Sequence, residues 1–183
     1  MAAELQRKIS VQEQINRARG FSLIELLIVV MVILVLAVIA IPNLMRSKIA
    51  ANEASAIQTV RQIATAEMTY NNTYPTVGYS PDLISLGGPA AGCTPDQTHA
   101  CILDSAVVTG NKSGYKFLAA GFPGAGVTTN TTFVASSSPL NFNTSGVRMF
   151  CIATDDGSAR WKLGTAGAPP APDVPSCITY TLM

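Results

Sequence analysis

Gly20-Phe21-Ser22-Leu23-Ile24-Glu25, then sixteen unbroken apolar residues from Leu26 to Ile41, then Pro42, is the stretch whose reading decides the fold. An acid stands at the lip of an otherwise membrane-grade helix. The preceding segment, residues 1–20, is polar and carries Arg7, Lys8, Arg17 and Arg19 against Glu4 and Glu13. It holds no apolar core of its own, so it is not an ordinary secretory signal. The excess of Lys and Arg before the apolar run places residues 1–20 in the cytoplasm and the C-terminus outside. Leu26 to Ile41 alone would span only about 24 Å as a helix, whereas a bilayer core needs roughly 20 residues. Starting at Phe21 supplies them and carries Glu25 into the cytoplasmic edge of the membrane.

Pro42 ends the apolar run. It has no N–H and its ring crowds the preceding turn, so a kink or local melting is expected there. Beyond it the pattern is helical again. Ile49, Ala56, Ile57, Val60, Ile63, Ala64 and Met68 recur at three- and four-residue spacing, with Gln58, Thr59, Arg61 and Gln62 between them. The reading is one long helix over residues 21–71, apolar all round in its first half and striped in its second. Such a stripe must be covered by another part of the chain.

The cover is expected from residues 75–183. Asn71-Asn72-Thr73-Tyr74-Pro75 closes the helix. Residues 75–113 read as a connecting loop, with a short helix near Pro81–Leu86. Strand-like runs follow at Tyr115–Ala119, Thr131–Ser136, Val147–Thr154 and Ala159–Lys162. Asp155-Asp156-Gly157-Ser158 forms a hairpin turn, since Asp-Gly tolerates positive φ. Residues 164–176 read as Gly/Ala/Pro-rich loop, and Ile178–Leu182 as a last edge strand. The fold class is α+β: a long N-terminal helix packed by its second half on an antiparallel sheet of about four strands. The expected divisions are 1–20, 21–42, 43–74 and 75–183.

Composition narrows function. The net charge of +1 supplies no basic face for nucleic acid. Cys93, Cys101, Cys151 and Cys177 lie in loop-rich sequence behind an export-like segment, which favours disulfides. Of three possible connectivities, Cys93–Cys101 and Cys151–Cys177 are preferred because each closes a loop locally. His99 beside Cys93 and Cys101 lacks the spacing of a zinc site. Asp155 and Asp156 lack the alternating oxygen ligands of a calcium loop, so no metal and no cofactor is expected. The glycine-rich run Gly121 to Gly126 has no Lys-Ser/Thr after it and is not a phosphate cradle. His99 is the sole histidine, and no serine has a convincing triad around it. Asn71, Asn111, Asn130 and Asn143 stand in Asn-x-Ser/Thr patterns, which here indicate exposure only.

Gly20 to Glu25, the apolar run and Pro42 together resemble the prepilin motif of type IV pilins and of the pseudopilins of type II secretion. The resemblance covers residues 15–75. It implies a pilin-like fold and a non-enzymatic filament subunit. A prepilin peptidase would cut between Gly20 and Phe21 and methylate the new amine of Phe21. The helix would hold the subunit in the inner membrane, in contact with lipid and an assembly platform. It would then pack into a filament with other copies and related minor pilins. Glu25 would pair with the amine of a neighbouring subunit and set axial register. The runner-up is a type II secretion pseudopilin. The reading from another class is a signal-anchored periplasmic binding or catalytic domain, which requires a catalytic constellation that the sequence does not offer.

Overall fold

The computed structural model describes residues 21–89 and 92–183. Gly20 and the expected leader, residues 1–20, lie outside the described residues. The chain divides into two units, Met1–Leu44 and Met45–Met183. Helix α1 spans Leu23–Thr73 and contributes to both. In the first unit it presents an apolar side chain at nearly every position. It runs on through Pro42, and next to the missing N–H the Asn43 side-chain amide donates to the carbonyl of Ile39 at 3.2 Å.

The second unit is a six-stranded antiparallel sheet with the C-terminal half of α1 on one face. Its elements are α2 (Ser105–Val108), β1 (Asn111–Lys112), β2 (Tyr115–Pro123), β3 (Asn130–Pro139), β4 (Arg148–Ala153), β5 (Arg160–Leu163), α3 (Val174–Ile178) and β6 (Thr181–Leu182). The strands lie side by side in chain order, each hydrogen-bonded to the next. Alternation sorts the side chains. Phe117, Ala119, Phe133, Ala135, Phe150 and Ile152 join Ala56, Val60, Ile63 and Tyr70 of α1 in the main core. Val134, Met149, Cys151 and Ala153 point the other way, into a second cluster with Ala171, Cys177 and Tyr180. The sheet is thus covered on both faces, and β3 is buried along most of its length. Ser136, on the C-terminal side of that strand, donates its hydroxyl to the carbonyl of Ala171 at 2.7 Å.

Several expectations need correction. The sheet has six strands rather than about four, because two-residue pairings at β1 and β6 extend it at either edge. The short helix expected at Pro81–Leu86 is a run of turns. There the Asp82 carboxylate caps the segment, accepting from both the backbone N–H and the hydroxyl of Ser85, each at 2.8 Å, but the chain closes after one tight turn, with the Gly87 N–H bonded to the carbonyl of Ile84 at 3.0 Å. Gly87 follows, where a Cβ would stand 2.1 Å from a methyl of Val108. The strand expected at Ile178–Leu182 shrinks to Thr181–Leu182. The Asp173 side chain caps the N-terminus of α3, accepting from the Ser176 N–H at 2.8 Å, and holds the chain helical through Ile178. Met68, assigned to the buried stripe, is 47% exposed. The hairpin between β4 and β5 turns at Asp155 to Ser158, with Gly157 at φ 65°.

Candidate assembly site

The first unit presents its apolar side chains without cover. Phe21 and Leu23 are 79% and 81% exposed, and every large apolar side chain from Leu26 to Met45 is 47% exposed or more. A helix with leucine, isoleucine and valine on all sides needs an apolar surrounding, either lipid or protein. Among the described residues, α1 is long and apolar enough to cross a membrane by length and composition. Its first turn is built on Ser22, whose carbonyl accepts from the N–H of Glu25 at 3.0 Å and of Leu26 at 3.2 Å. Glu25 therefore sits at the positive end of the helix dipole. Phe21 immediately precedes that turn. The next basic side chain along the described chain is Arg46.

The second unit uses the same helix differently. Its buried stripe carries two acids, Glu53 and Glu67, among Ala56, Ile57, Val60, Ile63, Ala64 and Tyr70. The Glu53 carboxylate accepts from the N–H groups of Val147 and Arg148 at 2.9 and 3.1 Å. It also pairs with the Arg148 guanidinium at 3.4 Å, and that guanidinium lies over the Trp161 ring. Asn52 adds a bond from its amide to the carbonyl of Ser145 at 2.9 Å. These contacts tie the start of β4 to the helix. Glu67 is fully buried and accepts from the N–H and the hydroxyl of Ser80 at 2.8 and 2.7 Å. Burial pushes its carboxyl up to about 7, against the pull of the two Ser80 bonds. One turn on, the Tyr70 hydroxyl donates to the carbonyl of Gln97 at 2.6 Å.

Residues 15–41 match the family described as the prokaryotic N-terminal methylation motif. Over 129 residues the chain is 33% identical to the type IV wide pilus major component PilA4 of Thermus thermophilus, which covers 68% of this chain and 96% of that protein. The chain belongs to the type IV pilin and pseudopilin family. No solved structure matches it. For a pilin-family subunit, the two units divide the work: one carries the motif and the uncovered helix, the other a closed globule.

The globule of this pilin-family chain is fastened by two disulfides, Cys93–Cys101 and Cys151–Cys177. The second is buried and joins β4 to α3, so it clamps the C-terminal segment across the sheet. Closing a loop of this length is worth roughly 3 kcal/mol in the chain-entropy account. The first is partly exposed and closes a loop that the backbone holds against residues 85–87, through Ala100 N–H to Ser85 and Cys101 N–H to Gly87. Asp155 and Asp156 each accept from the same Arg160 nitrogen at 2.8 Å. One arginine thus fills the space between the two carboxylates. The His99 ring meets Thr98 and Asp96, and no cluster of three possible metal ligands occurs among the described residues.

Glu53 and Glu67 are the buried anchoring residues that the apolar pattern passed over. The signal is in the spacing: 53, 56, 60, 63, 67 and 70 follow the helical repeat, which puts both acids on the face that must be covered. A carboxylate at such a position needs a partner from the covering element.

Proposed function

We propose that this chain is a structural subunit of a type IV pilus, with no catalytic role. The observation that carries the reading is the join between the methylation motif and a helix whose apolar surface is uncovered on all sides. The name of the Thermus relative favours a pilus over a type II secretion apparatus. A peptidase cuts between Gly20 and Phe21 and methylates the Phe21 amine. Residues 1–20 face the cytoplasm before the cut, and the globule faces outward. The helix is stored in the inner membrane at the assembly platform and then leaves lipid for a bundle of its own copies and related minor pilins. Pro42 marks a weak point where the helix adjusts as it is packed.

The chemistry of Glu25 supports this sequence of events. On insertion scales a carboxylate at the centre of a membrane helix costs roughly 2.5–3.5 kcal/mol, so this acid gains from a counter-charge. Cutting before Phe21 makes one, an ammonium that methylation leaves charged. Pairing it with Glu25 of a neighbouring copy adds little net energy, but any register that separates the two leaves buried charge unpaired.

N-terminal mass spectrometry of protein from sheared surface fibres tests the reading. The expected mature start is N-methyl-Phe21. Recovery of residues 1–20 intact on membrane-bound protein, with no fibre, would replace this reading with that of a simple signal-anchored domain.

A further inference from the structure

The hydrogen-bond count around Glu67 is uneven. The Ser80 hydroxyl has two acceptors in reach, Glu67 Oε1 at 2.7 Å and the carbonyl of Asp82 at 3.0 Å. A hydroxyl has one proton. If Glu67 is ionised, that proton serves the carboxylate and the Asp82 carbonyl goes without it. If Glu67 is neutral, its own O–H donates to Ser80 Oγ, and Ser80 passes its proton to Asp82. The Ser80 N–H still donates to Oε2 at 2.8 Å. The side-chain donors and acceptors of Glu67 and Ser80, both fully buried, are then all used without burying a charge.

The surroundings agree with the neutral form. Glu67 has no accessible surface, and it takes part in none of the ion pairs among the described residues. The ionisable groups that interact with it are Tyr70 on its own helix and Asp82 from the turn, with Tyr74 just past the helix end against Tyr70 and Tyr79 next to Ser80 in the chain. The Asp82 carboxylate disfavours a second negative charge nearby. Strand β2 meets Ser80 at Gly121, and its ionisable residues, Tyr115 and Lys116, stand at its other end. Strand β3 carries none. Asp96 and His99 belong to the disulfide loop, where Asp96 bonds Thr98 and His99.

We propose that Glu67 is a neutral carboxylic acid in the folded subunit, and that its proton latches the turn at residues 79–86 onto α1. The latch reaches further than Ser80. Asp82 holds Ser85, the Ser85 carbonyl receives the N–H of Ala100, and the Leu86 carbonyl receives those of Ile102 and Leu103. Loss of the proton loosens the anchor on which the segment of the first disulfide rests. The surface of the globule is thereby responsive to the pH outside the cell.

The direction of the pH effect follows from burial. The carboxyl is raised from its ordinary value of 4.5 to about 7, so the folded state holds one proton more than the unfolded chain between those values. The stabilisation is complete below pH 4.5 and is lost as pH rises through 7.

The test compares full-length protein with the Glu67→Gln variant, both in detergent micelles, by equilibrium unfolding from pH 5 to pH 8. Glutamine offers a carbonyl acceptor and an NH₂ with two donors, and does not titrate. Near pH 5 the two proteins should have similar unfolding constants. Towards pH 7 the wild-type constant should rise relative to the variant by up to about tenfold per pH unit. A ratio that stays flat, or a wild type that gains on the variant as pH rises, would overturn the proposal. Should the variant fail to fold, carbon-13 NMR of the Glu67 carboxyl in the wild type decides the matter. A titration midpoint near 7 supports the latch, and one below 5 removes it. Neither readout depends on fibre formation, so the latch and the filament reading stand or fall separately.

Discussion

Residues 23–44 and 45–73 belong to one helix, yet their surfaces meet different surroundings. In the first stretch even the least exposed large side chain, Val30, shows 47% of its surface. In the second, Ala56, Val60, Ile63 and Tyr70 show none. Helical propensity does not explain the difference, since the first stretch, rich in Ile and Val and containing Pro42, has the lower propensity and is helical all the same. What differs is where the covering partner is encoded. For the second stretch it is the sheet of the same chain. For the first, no described residue of the chain supplies it, and under the proposed function the cover comes first from lipid and then from other copies. A mutation should therefore damage assembly in one stretch and folding in the other.

The largest expected effect lies in the uncovered stretch. Glu25→Val should leave cleavage and the unfolding of the globule unchanged while fibre yield falls by roughly a hundredfold, since removing one member of a buried pair costs about 3–5 kcal/mol. Shearing yield measured beside membrane-bound pool size checks this, and normal fibres would dissolve the proposed register role. Ile63→Ala, in the covered stretch, should destabilise the globule by about 2–5 kcal/mol through the cavity it leaves. Denaturant unfolding reads that loss directly. The same truncation at Ile33 should not shift the unfolding midpoint, and a matching shift there would erase the contrast. The smallest effect is expected for Tyr70→Phe, which removes only the bond to Gln97 and leaves the ring in place. A loss of about 1 kcal/mol, with faster hydrogen exchange confined to the disulfide loop, is the expected signature.

How far the sequence could be read follows the same division. The apolar run has one physical meaning, so the long helix was legible to within two residues at either end. Strands β2 to β5 were legible where alternating apolar residues face a core. Their ends were not, as at Ser137 and Ser138, which are buried by cover from both sides rather than by their own hydrophobicity. Two-residue edge strands carry no period to detect. The turn at Pro81 to Leu86 does carry a capping acid, Asp82, but it closes after one turn at Gly87, which is too short to count as a helix. In the candidate site, Phe21 and Glu25 are singled out by their position in the motif, and their roles belong to the proposed function. Glu53 and Glu67 were hidden because an apolar-stripe reading looks for what is greasy and passes over the acids inside it.

The sheet order carries a consequence for how the molecule is made. Each strand pairs with its immediate predecessor in the chain, from β1 to β6. No strand must wait for a distant partner or be threaded between two others. Pairing over short separations lowers the loop-closure cost that slows sheet formation. A sheet of this order can be laid down strand by strand as synthesis proceeds, against a helix that already exists. The closing act falls to the last residues, when Cys177 reaches Cys151 and seals the outer face. An interrupted chain ending before α3 would hold most of the sheet and none of its outer seal. That makes the C-terminal segment a natural checkpoint between a nascent subunit and a finished one.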